Sequence, residues 1–244
     1  MHTALYIITG LLVLLAIAII GFLFIGKAFF SSVRNPYKEV NGQMVYQVPL
    51  GRASPLAGSD PASFKQIGSG NHAKDKNQVY YQDLILPKAD PTTFEEIDSL
   101  FSKDKNQVYL GNKVIEGADP NTFTILGSLY SKDIKNVYFT TKSINGADRE
   151  SFKIISNESW PFNFNHFAKD RKQVYCADTV LVGADSSTFT PLTTSGGAVS
   201  IFGADSSHIF NLPFCRQLDA DRESFMVVDE ETGKDKEREY TSDS

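Results

Sequence analysis

An internal repeat constrains this chain more than any other feature. The pattern Asp-x-x-[Ser/Thr]-Phe-x-x-[Ile/Leu/Val] occurs six times, led by Asp60, Asp90, Asp119, Asp148, Asp185 and Asp221. Its phenylalanines are Phe64, Phe94, Phe123, Phe152, Phe189 and Phe225. Asp90, Asp119 and Asp148 are 29 residues apart, and the next two steps are 37 and 36. The extra residues fall in 157–166, with Trp160, and in 193–200, with Gly196-Gly197. Both read as loop insertions that leave the signature intact.

Each copy can be read locally. The leading aspartate is a good cap for a helical turn, and Pro61, Pro91 and Pro120 fit the position after it. Gly117, Gly146 and Gly183 precede the turn and allow backbone that other residues resist. The spacing therefore predicts one helical turn that throws its Phe into the core, followed by a strand. A second pattern follows, as in Phe101-x-x-Asp104-x-x-x-Val108-Tyr109, where Asp-Lys-Asn reads as a turn entering a strand. Val108–Leu110 then pairs with 113–115 across Gly111-Asn112, a two-residue hairpin signal. Three short strands and one helical turn cannot bury an apolar face alone. The prediction is a mainly β, serial, solenoid-like array of about six units, spanning residues 41–228.

The strings Lys74 to Tyr81 and Lys103 to Tyr109 resemble the signature of the bacterial DKNYY family, which is named for this string and repeats it. Later copies depart at the third place, as in Asp133-Ile134-Lys135, Asp170-Arg171-Lys172 and Asp205-Ser206-Ser207. The resemblance covers roughly residues 41–228. It implies a fold and a bacterial origin, and no active-site residues.

Outside the repeats, residues 4–26 carry no charge. As a helix they would span roughly 34 Å, enough for a bilayer core of about 30 Å, so a single-pass membrane helix is expected there. A cleaved signal peptide would want a basic start and a shorter apolar run. Residues 27–40 read as a linker. Lys27, Arg34 and Lys38 flank the helix, and the positive-inside rule places the repeats on the cytoplasmic side of a bacterial inner membrane. Residues 229–244 hold seven acidic and three basic side chains and read as a disordered charged tail.

Composition limits the chemistry. A net charge of -5 argues against nucleic acid as a partner. Cys176 and Cys215, the two cysteines, lack metal-ligand spacing and read as free, partly buried thiols, with pairing open if the domain lies outside the cytoplasm. Asp75-Lys76-Asn77 opens like a calcium loop, but Tyr80 and Leu86 stand where Gly and Glu are required, so an Asx turn is the reading. His72 shares the register of Phe101, Tyr130 and Phe167 and reads as a packing residue. The acidic residues recur once per unit, which a structural role predicts; no catalytic, cofactor-binding or metal-ligating residue is assigned. The column Tyr80, Tyr109, Tyr138 and Tyr175 is the one candidate binding surface, against a reading in which it packs between units. The expected function is non-enzymatic binding of a protein or other macromolecule by a membrane-anchored repeat domain, of an immunity or envelope type. The alternatives are an enzyme with a site in the 157–166 and 193–200 insertions, and a membrane-tethered spacer.

Overall fold

The structure is a computed structural model that describes residues 35–48, 51–127, 129–155, 167–211 and 214–241. The expected membrane helix and most of the linker lie outside these residues, as does the 157–166 insertion. Among the described residues no helix is long and apolar enough to cross a membrane. The described chain is mainly β, in seven small antiparallel sheets. By Cα packing it divides into two compact units, Met1–Lys113 and Val114–Ser244.

The second sheet shows the plan. Its strands Lys65–Ile67, His72–Lys74, Val79–Tyr81 and Leu84–Ile85 pair in sequence order as a meander. The register sets Lys74 opposite Val79 and Tyr80 opposite Ile85. A unit thus has four strands rather than the three expected. The fourth ends on a buried Leu or Ile: Leu86, Ile115, Ile144, Leu181 and Leu218 in successive sheets. The expected helical turn is a hydrogen-bonded turn and nothing longer. Ser63 N–H donates to the Asp60 carbonyl at 3.2 Å, and the chain then extends directly into the first strand. Gly117, Gly146 and Gly183 precede these turns with φ of 77–86°, where an L side chain would be strained.

Two boundaries differ from expectation. Strand Tyr37–Val40 lies within the expected linker and pairs with Gln43–Tyr46, so the first sheet starts before residue 41. The tail is also folded. Gly233–Lys234 pairs with Met226–Val227 and Glu239–Tyr240 in a seventh sheet, and Tyr240 is 3% exposed. Its surface charges hid a further copy of the second pattern, Asp235-x-x-x-x-Tyr240.

Aromatic rings join consecutive sheets. Phe64 sits 5.4 Å from Tyr37 of the sheet before and 5.7 Å from Tyr80 of its own. Phe94 stands likewise between His72 and Tyr109. In the second unit Phe152 stands between Tyr130 and Tyr175, Phe189 between Phe167 and Phe210, and Phe225 between Phe202 and Tyr240. Each of these five phenylalanines is therefore shared by two sheets, which explains why one repeat cannot stand alone. At the corresponding place in the seventh sheet the aromatic is replaced by Thr232.

From the second sheet onward the residue after the column position is small: Ala73, Ser102, Ser131, Ala168 and Gly203, with Gly233 following Thr232. The turn phenylalanine takes the space. A Cβ at Gly203 would collide with the Phe189 ring, and one at Gly233 with Phe225. The hydroxyls of Ser102 and Ser131 are buried without a hydrogen-bond partner, so size and not polarity selects the residue. Ser131→Ala is therefore expected to stabilise the fold, by about 1 kcal/mol, while Gly203→Ala destabilises it by at least as much. Chemical denaturation of the two variants checks both signs.

Candidate functional site

The two repeated patterns form one hydrogen-bonded lock. The aspartate of the second pattern sits at its centre, and Asp75, Asp104, Asp133, Asp170 and Asp205 are all buried. One carboxylate oxygen accepts from the two backbone N–H groups that follow, as Asp75 Oδ1 does from Asn77 at 2.7 Å and Gln78 at 2.8 Å. This is the Asx turn expected of Asp75-Lys76-Asn77. The other oxygen reaches back to the first pattern. Asp75 Oδ2 accepts from the backbone N–H of Asp60, and the same bond recurs from Asp90, Asp119, Asp148, Asp185 and Asp221, all at 2.8–3.0 Å. A carboxylate holding several N–H donors is a strong, directional anchor.

The remaining signature residues complete the lock. Ser63 Oγ donates to Asp60 Oδ2 at 3.1 Å and accepts from Lys76 N–H at 3.1 Å. Thr93, Thr122, Ser151, Thr188 and Ser224 accept the equivalent N–H at 3.0–3.2 Å. The residue after the central aspartate is a cation that pairs with the turn aspartate in four copies: Lys76 with Asp60, Lys105 with Asp90, Arg171 with Asp148, Lys236 with Asp221. Arg171 brings the Asp148 carboxyl down to about 2. The residue before the central aspartate reaches onward instead. Lys74 Nζ donates to the Pro91 carbonyl at 2.7 Å, and Lys169 Nζ to that of Phe189 at 3.0 Å, tying one sheet to the next turn.

The tyrosine column belongs to the same lock. Tyr80, Tyr109, Tyr138 and Tyr175 are 0% exposed, so they form no surface, and the packing reading stands. Each hydroxyl donates to its central aspartate, at 2.9, 3.0, 2.9 and 2.7 Å. Burial, then the hydrogen bond to Asn136 acting against it and the bond to Asp133 acting with it, leave the Tyr138 hydroxyl pushed up to about 12. The sixth sheet has Phe210 in the tyrosine's place, and His208 Nδ1 approaches Asp205 Oδ2 at 3.4 Å instead.

Burial raises the pKa of Asp75, Asp133, Asp170 and Asp205, but their donated hydrogen bonds outweigh it and hold them below the ordinary carboxylate value. Their stabilisation is present above the unfolded pKa of about 4 and is lost as the pH falls below it. These groups are structural acceptors, already engaged by donors of their own chain.

Among the described residues, two further features stand apart from the lock. The 193–200 insertion is a hairpin: Thr190–Thr193 pairs with Val199–Ala204 around a turn closed by Gly197 N–H on the Thr194 carbonyl. The other is a pair of shallow grooves flanking strand Arg216–Leu218. One, of about 420 Å³, is lined by that strand with Asp219, Arg238, Glu239 and Tyr240. Its neighbour, of about 410 Å³, is lined by His208, Gln217, Leu218, Asp219 and Ala220. Arg238 helps to fix the first groove, donating to the Asp219 carbonyl at 2.6 Å while its guanidinium lies over the Tyr240 ring. Sequence reasoning missed these grooves: the first joins residues of two sheets, and the second depends on how the strand Arg216–Leu218 lies beside His208.

Beside them Cys176 and Cys215 form a disulfide, with Cα atoms 5.7 Å apart. The free-thiol reading is thus overturned: the end of strand Val174–Cys176 in the fifth sheet and the segment entering Arg216–Leu218 bring the sulfurs together, which separation in sequence could not show.

Tyr175→Phe removes a buried hydroxyl from Asp170 and should cost about 1–2 kcal/mol; Phe210→Tyr, offering that hydroxyl to Asp205, should be neutral or stabilising. Denaturation of both variants at pH 7 and below pH about 4 checks these values and the expected acid loss.

A family model described as the DKNYY family matches residues 25–141 and again 130–244. No curated protein and no solved structure matches the chain. The two matches span every sheet described above, and the chain belongs to the DKNYY family.

Proposed function

We propose that this chain is a membrane-anchored, non-enzymatic repeat domain that binds a protein partner, with residues 4–26 as its anchor. The repeats act as a serial, solenoid-like scaffold, a reading supported by the phenylalanines shared between consecutive sheets in each unit. One observation carries the binding role. The recurrent acidic and tyrosine groups are engaged by each other, whereas the grooves flanking Arg216–Leu218 offer unrepeated polar and charged side chains to an approaching surface. A shallow groove with exposed Gln217 and Arg238 at its wall suits a protein surface better than an enclosed small substrate.

The disulfide favours a repeat domain outside the reducing cytoplasm, against the placement that flanking charges alone predict. In intact cells, an impermeant reductant followed by an impermeant maleimide should label both cysteines only after reduction. No labelling even after reduction, with labelling once the cells are permeabilised, would return the domain to the cytoplasm.

Binding is tested with a photo-crosslinking residue at Gln217, in native membranes, against the same residue at exposed Lys153. The expected result is a discrete adduct from position 217 that is absent from 153. No adduct, or the same adducts from both, would remove the grooves as the binding surface.

A further inference from the structure

The joint between the second and third sheets differs from the others. Where Tyr37, Phe101, Tyr130, Phe167 and Phe202 occupy the aromatic column, the second sheet has His72, and it is fully buried. Its ring lies 5.6 Å from Phe94 and 5.1 Å from Tyr81. Its Nδ1 is 2.6 Å from Oε2 of Glu96, which comes from the first strand of the third sheet.

Glu96 is held for this contact. Its Oε1 accepts from Ser69 N–H at 2.7 Å and its Oε2 from Ser69 Oγ at 3.2 Å. Gly68, at φ +54°, leaves room for it, since a Cβ there would collide with the carboxylate. Asn71 Nδ2 adds a bond to the Ser99 carbonyl at 3.1 Å. A polar clasp thus stands where aromatic contact joins other sheets.

A carboxylate only accepts, so Nδ1 carries the hydrogen and the ring's other nitrogen has a lone pair. That Nε2 is buried and has no partner. Protonation would place an N–H there with no acceptor, inside a packed joint. The titratable groups facing the ring are Glu96 and Asp98 from the third sheet and Tyr81 from its own. Burial disfavours the imidazolium more than the two carboxylates favour it, and the net effect lowers the His72 pKa. Opening the joint gives Nε2 water as an acceptor.

We propose that this joint is a pH-operated weak point: protonation of His72 at Nε2 releases Glu96 and opens the contact between the second and third sheets. The sign follows from linkage. A histidine whose folded pKa is depressed stabilises the closed joint above its unfolded pKa of about 6.5, and that contribution is lost as the pH falls below it. This window lies above the one in which Asp75, Asp133, Asp170 and Asp205 lose their contribution.

The test is hydrogen–deuterium exchange of the full chain in detergent micelles, corrected for intrinsic rates, between about pH 7.5 and pH 5. Protection of residues 65–74 and 95–103 should fall by up to about tenfold per pH unit below about 6.5. Residues 130–139 and 167–176, at aromatic joints, should keep theirs. His72→Phe, or His72→Tyr should the first not fold, restores the column residue and should abolish the pH dependence. Glu96→Gln removes the carboxylate and should lower protection of the joint at pH 7.5. Constant protection in the wild type, the same loss in the His72 variant, or an equal loss at the aromatic joints would overturn the proposal.

Discussion

A buried carboxylate bonded to the backbone of a turn some 14 to 22 residues earlier holds each repeat together. A short strand in water gains little from its own ladder, and two-residue strands such as Leu84–Ile85 gain least. The central aspartate converts two loose turns into one closed element by accepting from both. The tyrosine hydroxyl adds a donor from inside the core, and the turn phenylalanine is thereby fixed where two sheets can share it. Hydrogen bonding sets position and the shared rings supply the burial; one fully buried Phe contributes about 2–3 kcal/mol.

The second pattern thus consists of contacts made in different directions. In Lys74-Asp75-Lys76 the first lysine reaches forward to the next turn, the aspartate closes its own unit, and the second lysine pairs with Asp60. Where the cation is lost, at Ile134 and Ser206, the backbone N–H still bonds to Thr122 or Thr188. The side chain at this place is tolerant because it lies at the surface, whereas the aspartate is retained in all six copies described.

The β class, the hairpin at Gly111-Asn112 and the inward-facing phenylalanines were legible because turn chemistry and aromatic spacing are local signals. The lock was not, since its two halves are remote in sequence and each makes local sense alone. A usable clue existed: Asp90 to Asp104 and Asp119 to Asp133 are each 14 residues apart, and Asp221 to Asp235 repeats the separation. Charge composition outweighed that clue at the C-terminal end, where Glu237 and Glu239 face water while Tyr240 is buried. The tyrosine column was ambiguous because exposed and buried tyrosines share one spacing. The grooves beside Arg216–Leu218 had no sequence signal, as nothing in the repeat predicts where non-repeated side chains converge.

Thr232 has a consequence of its own. Every other described sheet offers a ring or an imidazole at that place, a dry platform on which a neighbouring phenylalanine can rest. Thr232 supplies no ring there. Within a unit, duplication of a copy between two ring-bearing sheets would leave a ring for each turn phenylalanine, whereas a copy placed after this threonine would meet a methyl and a hydroxyl where the other joints have a ring.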